Sequence, residues 1–322
     1  MTPTRISVIV PTLDTRALAT ACVDSVFASP LPAGVELEIV IVDDGSRDGT
    51  AEAFTARPGV RVVKNEEPTG FSRAVNRGVA ASTGDLLVLL NSDATVEPRS
   101  LSVIVGAFEA EPSLGIAGAV LRYPDGSPQW SGGREPDLLW LFAQASAFPA
   151  LLGRLPAWRR VKPLHPDSPV DVGWVSGAAM AVRASVWRDL GPFDANYGFY
   201  GQDLDFCLRA RDHGWRVRIL PGFQALHHRG ATISARGETA IGSADLGLLW
   251  SDLVLWAGKR RGPVFARRAR SALRAGSLLR VAARAFALPF VAAPRRSDWR
   301  RETEAVSAGR AALRVLPQGV RS

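Results

Sequence analysis

The chain has 322 residues, 47% of them apolar, which is enough to bury a large core in one or two domains. Its formal net charge of +8 is unevenly placed: residues 255–322 hold sixteen Lys and Arg against three acids, Asp298, Glu302 and Glu304, while residues 1–254 hold 23 basic and 28 acidic residues. Cys22 and Cys207 stand far apart without metal-type spacing, no apolar leader precedes the first strand, and no apolar run reaches the roughly 18 residues of a membrane span. These features argue against a disulfide framework, a zinc cluster and a membrane-spanning helix, and the expected setting is cytoplasmic.

In chain order, Ile6–Val10 reads as a buried strand stopped by Pro11, and residues 16–28 read as a helix with Leu18, Cys22, Val26 and Phe27 along one face. Leu37–Val42 is a second strand and Arg61–Lys64 a short third one. Ser72–Ala81 is helical, and Asp85–Leu90 is a further buried strand. Strands alternating with helices predict a mainly parallel α/β sheet covered on both faces, a pattern that continues to about residue 120. Residues 122–170, rich in proline, are expected as an irregular excursion with a helix near 137–148. Regular patterning resumes at Val170 and runs to about 233, and the chain beyond 245 is helical and arginine-rich.

Acids gather at the predicted strand ends. Asp43-Asp44-Gly45-Ser46 follows the second strand, and Asn91-Ser92-Asp93 follows the strand ending at Leu90. Ligands of open α/β sheets bind outside the carboxyl ends of the strands, and consecutive strands are often neighbours, so these acids can share one crevice. Each cluster taken alone is equally a turn with a helix cap. Gln202-Asp203-Leu204-Asp205 opens a helical pattern, where the helix dipole favours an ionised carboxylate able to accept a proton from a hydroxyl; a plain N-cap is the alternative. His227 follows an apolar segment and can ligate a divalent ion or be merely structural.

Such a set supports transfer of a sugar from a nucleotide diphosphate. Asp93, helped by His227, would hold Mg²⁺ or Mn²⁺ against the leaving pyrophosphate, Asp43 and Asp44 would bind the base or ribose, and Asp203 would deprotonate the acceptor. Competing signatures are missing: no G-x-G-x-x-G follows the first strand, and there is no Walker-type phosphate loop, H-E-x-x-H or G-x-S-x-G.

Eight segments in order resemble family 2 glycosyltransferases with the GT-A fold: Val8–Thr12, Val42–Ser46, Asn65 with Gly70–Gly78, Leu89–Asp93, Val175–Ala179, Leu190–Asp194, Tyr200–Asp205 and His227. The resemblance covers roughly residues 5–235. It implies an inverting transferase that uses a nucleotide-diphosphate sugar and Mg²⁺ or Mn²⁺. It implies donor-binding positions at Pro11, Thr12, Asp14, Asp43, Asp44, Arg73, Asn76, Asn91 and Ser92, and metal ligands at Asp93 and His227. Asp203 would be the catalytic base, with Gly177, Gln202 and Asp205 toward the acceptor. Asp125-Gly126-Ser127 with Ser131–Arg134 is similar to the bacterial rhamnosyltransferase-like branch, whose acceptors are often polyprenyl-diphosphate-linked sugars of the cell envelope. Two departures stand out: Asn91 replaces the first metal-motif acid, and Gln202 replaces the Glu usual before the catalytic Asp. A catalytically silent nucleotide-sugar-binding protein and a metal-dependent nucleotidyltransferase are the alternatives.

The expected domains are a transferase domain over 1–245, with a nucleotide-binding half to about 120 and an acceptor-binding half beyond, and a basic helical extension over 246–322. Within the extension Phe265, Ala269, Ala272, Leu273, Leu278, Leu279, Ala282 and Phe286 alternate with arginines, as an interfacial helix requires. The expected partner is an anionic membrane surface, with the enzyme peripheral on the inner face. Nucleic acid is not expected, since stacking aromatics are not interleaved with the arginines.

Overall fold

The computed structural model describes residues 5–146, 166–228, 245–315 and 317. They group into two compact units. The first is an α/β unit on a nine-stranded sheet. β1 (Arg5–Thr12), β2 (Glu36–Asp43), β3 (Val60–Lys64) and β4 (Leu86–Leu90) form a parallel block in the order β3-β2-β1-β4. The central strands have continuous apolar runs because both of their faces are covered. On one face Ile6, Val8, Val10, Ile39 and Ile41 meet α1 (Arg16–Phe27), α2 (Thr50–Thr55) and α4 (Ser100–Ala110). On the other, Ile9, Val40, Val42, Leu87 and Leu89 meet α3 (Phe71–Ala81). The fold is therefore α/β with a mainly parallel sheet, as the sequence predicts.

The second half of the sheet departs from a simple parallel series. It runs β4-β10-β6-β11-β5, with β5 (Ala94–Val96), β6 (Leu114–Arg122), β10 (Ala179–Arg183) and β11 (Arg216–His227), and β8 (Val170–Asp171) pairs with β11. β10 is antiparallel to both β4 and β6. A parallel connection relies on a compact helical crossover. Here the chain reaches β10 after the excursion that follows β6, and it enters the sheet from the opposite end. That excursion contributes a two-stranded ribbon of β7 (Gly132–Gly133) with β9 (Trp174–Val175). Two helices, α6 (Ala184–Leu190) and α7 (Gln202–Asp212), complete the second face, where Trp187, Phe193 and Phe206 pack with ring centroids 4.9–5.4 Å apart.

The second unit combines α5 (Leu138–Ala145), the segment 196–201 and the C-terminal helices α8 (Leu246–Ala287) and α9 (Arg296–Ala312). Asp137 caps α5, accepting the Trp140 N–H at 2.7 Å, so the helix expected near 137–148 is present with a polar start. Residues 147–165 of the expected excursion, and 229–233 of the patterned stretch, lie outside the described residues. The C-terminal helix is not continuous: it breaks at Gly262, whose φ of +82° is left-handed, and Pro263 opens the next segment. Ala269 and Leu273, expected on an exposed stripe, are buried between helices.

Candidate active site

Parallel register brings the acid clusters to one edge. Thr12 at the end of β1 pairs with Asp43 at the end of β2, and β4 lies on the other side of β1. A chain of hydroxyls ties these ends together: Thr12 Oγ1 lies 2.8 Å from Thr15 Oγ1, which lies 2.9 Å from Ser92 Oγ. Pro11 sits inside β1 opposite Val42. Thr15 has no sequence signature of its own and emerges only from this contact.

The adjacent acids Asp43 and Asp44 do different things. Asp43 is fully buried; its Oδ1 accepts the Ser46 N–H at 3.0 Å, closing the turn, and its Oδ2 has no hydrogen-bond partner among the described residues. Asp44 is also buried, but both of its oxygens are engaged. Oδ1 accepts from Asn65 Nδ2 (2.6 Å), Thr69 Oγ1 (2.7 Å) and Thr69 N (2.9 Å), and Oδ2 accepts from Gly70 N (2.9 Å). Asp44 thus fastens the loop 65–70, while Asp43 keeps one buried oxygen without a partner among the described residues.

That loop forms one wall of a cavity of about 510 Å³ lined by Leu13, Asp14, Gly45, Arg47, Pro68, Thr69 and Gly70, within the size range of small-molecule sites. Asp14, at a left-handed φ of +51°, accepts the Arg47 N–H at 2.6 Å and donates its own N–H to Ser46 Oγ at 2.9 Å. Gly45 has φ +87°, and a Cβ there would meet the Glu67–Pro68 backbone at 3.0 Å, so both conformation and space require glycine. Arg73 is exposed in the first turn of α3, with Nη1 3.4 Å from the Thr69 carbonyl. Asn76, expected at the donor, bonds the main chain of Phe193. Its Nδ2 donates to the Phe193 carbonyl at 2.8 Å and its Oδ1 accepts the Phe193 N–H at 2.9 Å, so the amide braces the segment that carries the aromatic cluster.

The next pair comes together through antiparallel register. β11 places His227 opposite Ala94, and the neighbouring Asp93 then lies beside it: His227 Nε2 is 3.1 Å from Asp93 Oδ1 and 3.2 Å from Asn91 Nδ2. Both groups are nearly buried. On the other side of the ring, His227 Nδ1 is 2.5 Å from Gln129 Oε1, and Gln129 Nε2 donates to the His227 carbonyl at 3.1 Å. The Gln129 amide is thereby oriented with its oxygen toward Nδ1, which carries a hydrogen, and Nε2 is the ring nitrogen that faces Asp93. An imidazole nitrogen and a carboxylate converging this closely suit a divalent cation, with waters and substrate oxygens completing its shell. Among the described residues there is no group of three His, Cys, Asp or Glu fit to hold an ion without such help.

Asp203 lies in the first turn of α7. Its Oδ2 accepts the Gly177 N–H at 2.8 Å and its Oδ1 accepts the Leu204 N–H at 2.8 Å. The residue is half-buried, and its carboxylate is densely surrounded by protein. That desolvation pushes its pKa above the usual carboxylate value, against the opposing pull of the two N–H groups. Asp205 lies on another face of the helix. It pairs with Arg209 at 2.9 Å, whose guanidinium also reaches the Leu190 and Pro192 carbonyls at 2.6 and 3.2 Å. The geometry therefore gives Asp205, expected at the acceptor, a bracing contact. Gln202 is buried immediately before Asp203.

The family model of glycosyl transferase family 2 matches residues 7–161. The N-acetylglucosaminyl-diphospho-decaprenol L-rhamnosyltransferase of Mycobacterium tuberculosis (strain ATCC 25618 / H37Rv) is 30% identical over 213 residues, 60% of this chain and 67% of the relative. The O-antigen biosynthesis protein RfbC of Myxococcus xanthus is 26% identical over 275 residues, 81% of this chain but 20% of its own length. Among solved structures, the mannosyltransferase PcManGT of Pyrobaculum calidifontis, in complex with GDP-Man and Mn²⁺, superposes with a TM-score of 0.58 at 19% identity, covering 100% of this chain and 89% of its own. GalNAc-T7 with UDP, GalNAc and Mn²⁺ gives 0.58 at 16% identity, covering 94% and 55%. These likenesses show the GT-A fold, and with the ordered strand-end acids and the matched relatives they place the chain: it belongs to glycosyl transferase family 2 and is a rhamnosyltransferase-like glycosyltransferase.

Proposed function

We propose that this enzyme moves a sugar, with rhamnose the first candidate, from a nucleotide-diphosphate sugar to a hydroxyl of a glycan or polyprenyl-diphosphate-linked acceptor in cell-envelope polysaccharide synthesis. The observation that carries the reading is Asp203, a carboxylate of raised pKa held by two N–H groups and separate from the Asp93–His227 pair. It supports a division of labour in which one acid serves the acceptor and another the leaving group. Rhamnose and the lipid-linked acceptor rest on the likeness to the decaprenol-linked rhamnosyltransferase.

In this reading Asp43, with its uncommitted buried oxygen, and the Asp14–Gly45 cavity receive the nucleoside, while Asp44 keeps the loop 65–70 in place around it. Thr12, Asn91 and Ser92 line the diphosphate side and Arg73 offers an exposed positive charge. Asp93 and His227 would hold Mg²⁺ or Mn²⁺, as the Mn²⁺ of the two structural relatives suggests; bound there, the ion supplies countercharge to the departing diphosphate. Asp203 accepts the acceptor hydroxyl proton as the oxygen attacks the anomeric carbon from the face opposite the diphosphate. The new C–O bond forms as the bond to the leaving phosphate breaks, and configuration inverts. Gln202 hydrogen-bonds the acceptor or its loop, and the Gly177 N–H keeps Asp203 aimed. Residues 1–245 would form the transferase domain and 246–322 the extension. No described helix is long and apolar enough to cross a membrane, and we place the enzyme peripherally on the cytoplasmic face through its basic extension.

A thermal-shift panel of nucleotide sugars with and without Mn²⁺ or Mg²⁺, followed by transfer assays with the stabilising donor, tests this. One donor should raise Tm in the presence of the ion and then be turned over. Stabilisation without transfer to any lipid-linked or free glycan would leave a nucleotide-sugar-binding protein instead.

A further inference from the structure

The connection between α8 and α9 has a composition that the hairpin itself does not need. Residues Ala285 to Pro294 contain no charge, and their large side chains point outward: Phe286 is 80% exposed and Phe290 is 82% exposed, with ring centroids 6.3 Å apart. Pro289, Ala292, Ala293 and Pro294 are exposed beside them. The exposed face of α8 changes character toward this tip. Arg267, Arg268 and Arg274 occupy it first, then Leu278, Leu279 and Ala282, and finally Phe286. On the return, Arg295, Arg296 and Arg300 are exposed directly after the apolar stretch.

The tip is braced. Arg284 is buried and stacks on the Trp299 ring at 3.9 Å; it donates to the Trp299 carbonyl at 2.8 Å and to Thr303 Oγ1 at 2.9 Å, and pairs with Glu302 at 2.8 Å. Trp299 Nε1 returns a bond to the Arg284 carbonyl at 2.9 Å, and Arg296 Nε donates to the Val291 carbonyl at 2.9 Å. A network of this kind stands immediately beside the loop that presents the two exposed phenylalanines. Ordered, contiguous, exposed apolar surface marks an interaction site.

We infer that the α8–α9 tip inserts Phe286 and Phe290 into an anionic lipid bilayer, with the flanking arginines at the headgroups. Charge selects this occupant. Exposed charge around the patch is mostly arginine, Arg295, Arg296, Arg300 and Arg301, against the acids Asp298, which pairs with Arg301, and Glu302, which pairs with Arg284. A second copy would bring the same arginines against these, whereas anionic headgroups complement them. Aromatic rings flanked by cations are also the composition of interfacial membrane segments. The contact is thus narrower than adhesion along the whole basic helix, whose Ala269 and Leu273 are unavailable. The surface stands independently of the transferase reading; its purpose, holding the enzyme where a lipid-linked acceptor resides, rests on that reading.

The test uses the full chain and flotation with vesicles of equimolar phosphatidylglycerol and phosphatidylcholine, against phosphatidylcholine alone. Wild type should float with the anionic vesicles, and F286S/F290S should bind at least about tenfold more weakly, because both large apolar groups are lost. Both native cysteines are buried, so Phe290→Cys can be labelled with an environment-sensitive thiol dye, whose emission should shift to the blue on anionic vesicles only. Unchanged flotation of the double variant, or an unshifted dye on bound protein, overturns the proposal. So does a wild-type dimer in sedimentation that F286S/F290S converts to monomer, which would make the occupant a second copy. Donor-induced thermal shifts, measured on the same variants, report separately on the transferase reading.

Discussion

Gln129 and His227 hydrogen-bond each other twice, ring Nδ1 to amide oxygen at 2.5 Å and amide nitrogen to main-chain carbonyl at 3.1 Å. The reciprocity places a hydrogen on Nδ1 and fixes the ring's orientation. It leaves Nε2 3.1 Å from Asp93 Oδ1, a spacing at which the two groups would share a cation. Gln129 is therefore a positioning residue for the proposed metal pair.

Replacing Gln129 by Met should weaken Mn²⁺ binding by about tenfold to a hundredfold, the usual consequence of losing an outer partner of a ligating histidine. Titration of Mn²⁺ followed by electron paramagnetic resonance measures this without reference to turnover. Gln129→Asn, too short to make both bonds, should fall close to the Met variant. An affinity equal to wild type in both would mean that the ring is fixed by other contacts.

Asp203→Asn keeps the shape of the side chain and one acceptor for the N–H groups of Gly177 and Leu204, but removes the base. Transfer should fall by at least about a hundredfold, within the range attributed to positioned general bases. Donor-induced stabilisation with Mn²⁺ should change little, which separates loss of chemistry from loss of binding. Near wild-type turnover would move the base elsewhere.

The raised pKa of Asp203 fixes the sign of a pH effect. The base must be ionised, so kcat/KM should decline as pH falls through a value above the ordinary aspartate pKa of about 4. Stability moves the other way. The folded state favours the protonated carboxyl, so the contribution is fully present below the unfolded pKa and is lost as pH rises through the higher folded one. Asp203→Asn should lack that component, and a Tm-against-pH comparison with wild type shows it. An acid limb at the ordinary carboxylate value would remove desolvation from the account of this residue.

The sheet's parallel block was legible because strands buried on both faces spell continuous apolar runs, and the acids were legible because they sit at the ends of those runs. The antiparallel entry of β10 was not, since its direction depends on where a long excursion returns rather than on local pattern. The partners of the acids were hidden for the same reason. Asp44 reads like Asp43 in sequence, yet only the fold brings Asn65, Thr69 and Gly70 to it. Gln129 is 98 residues from His227 and lies in a loop with no periodicity. Asn76 shows the converse: a motif residue whose amide turns out to bridge Phe193.

Asp252, on α8, was equally invisible as anything but a helix residue. It is buried, and accepts the N–H groups of Gly198 (2.9 Å), Phe199 (3.0 Å) and Tyr200 (2.8 Å), three consecutive donors of the segment that runs directly into Gln202 and Asp203. Burial raises its pKa, and the three N–H groups oppose the rise. Asp252→Ala would strand these donors, and hydrogen bonds to a charged group are worth about 1.5–3 kcal/mol, so Tm should drop by several degrees. Asp252→Asn, which turns an NH₂ toward an N–H, should fall between Ala and wild type. A Tm indistinguishable from wild type in Asp252→Ala would show that the segment 198–200 is held by its other contacts.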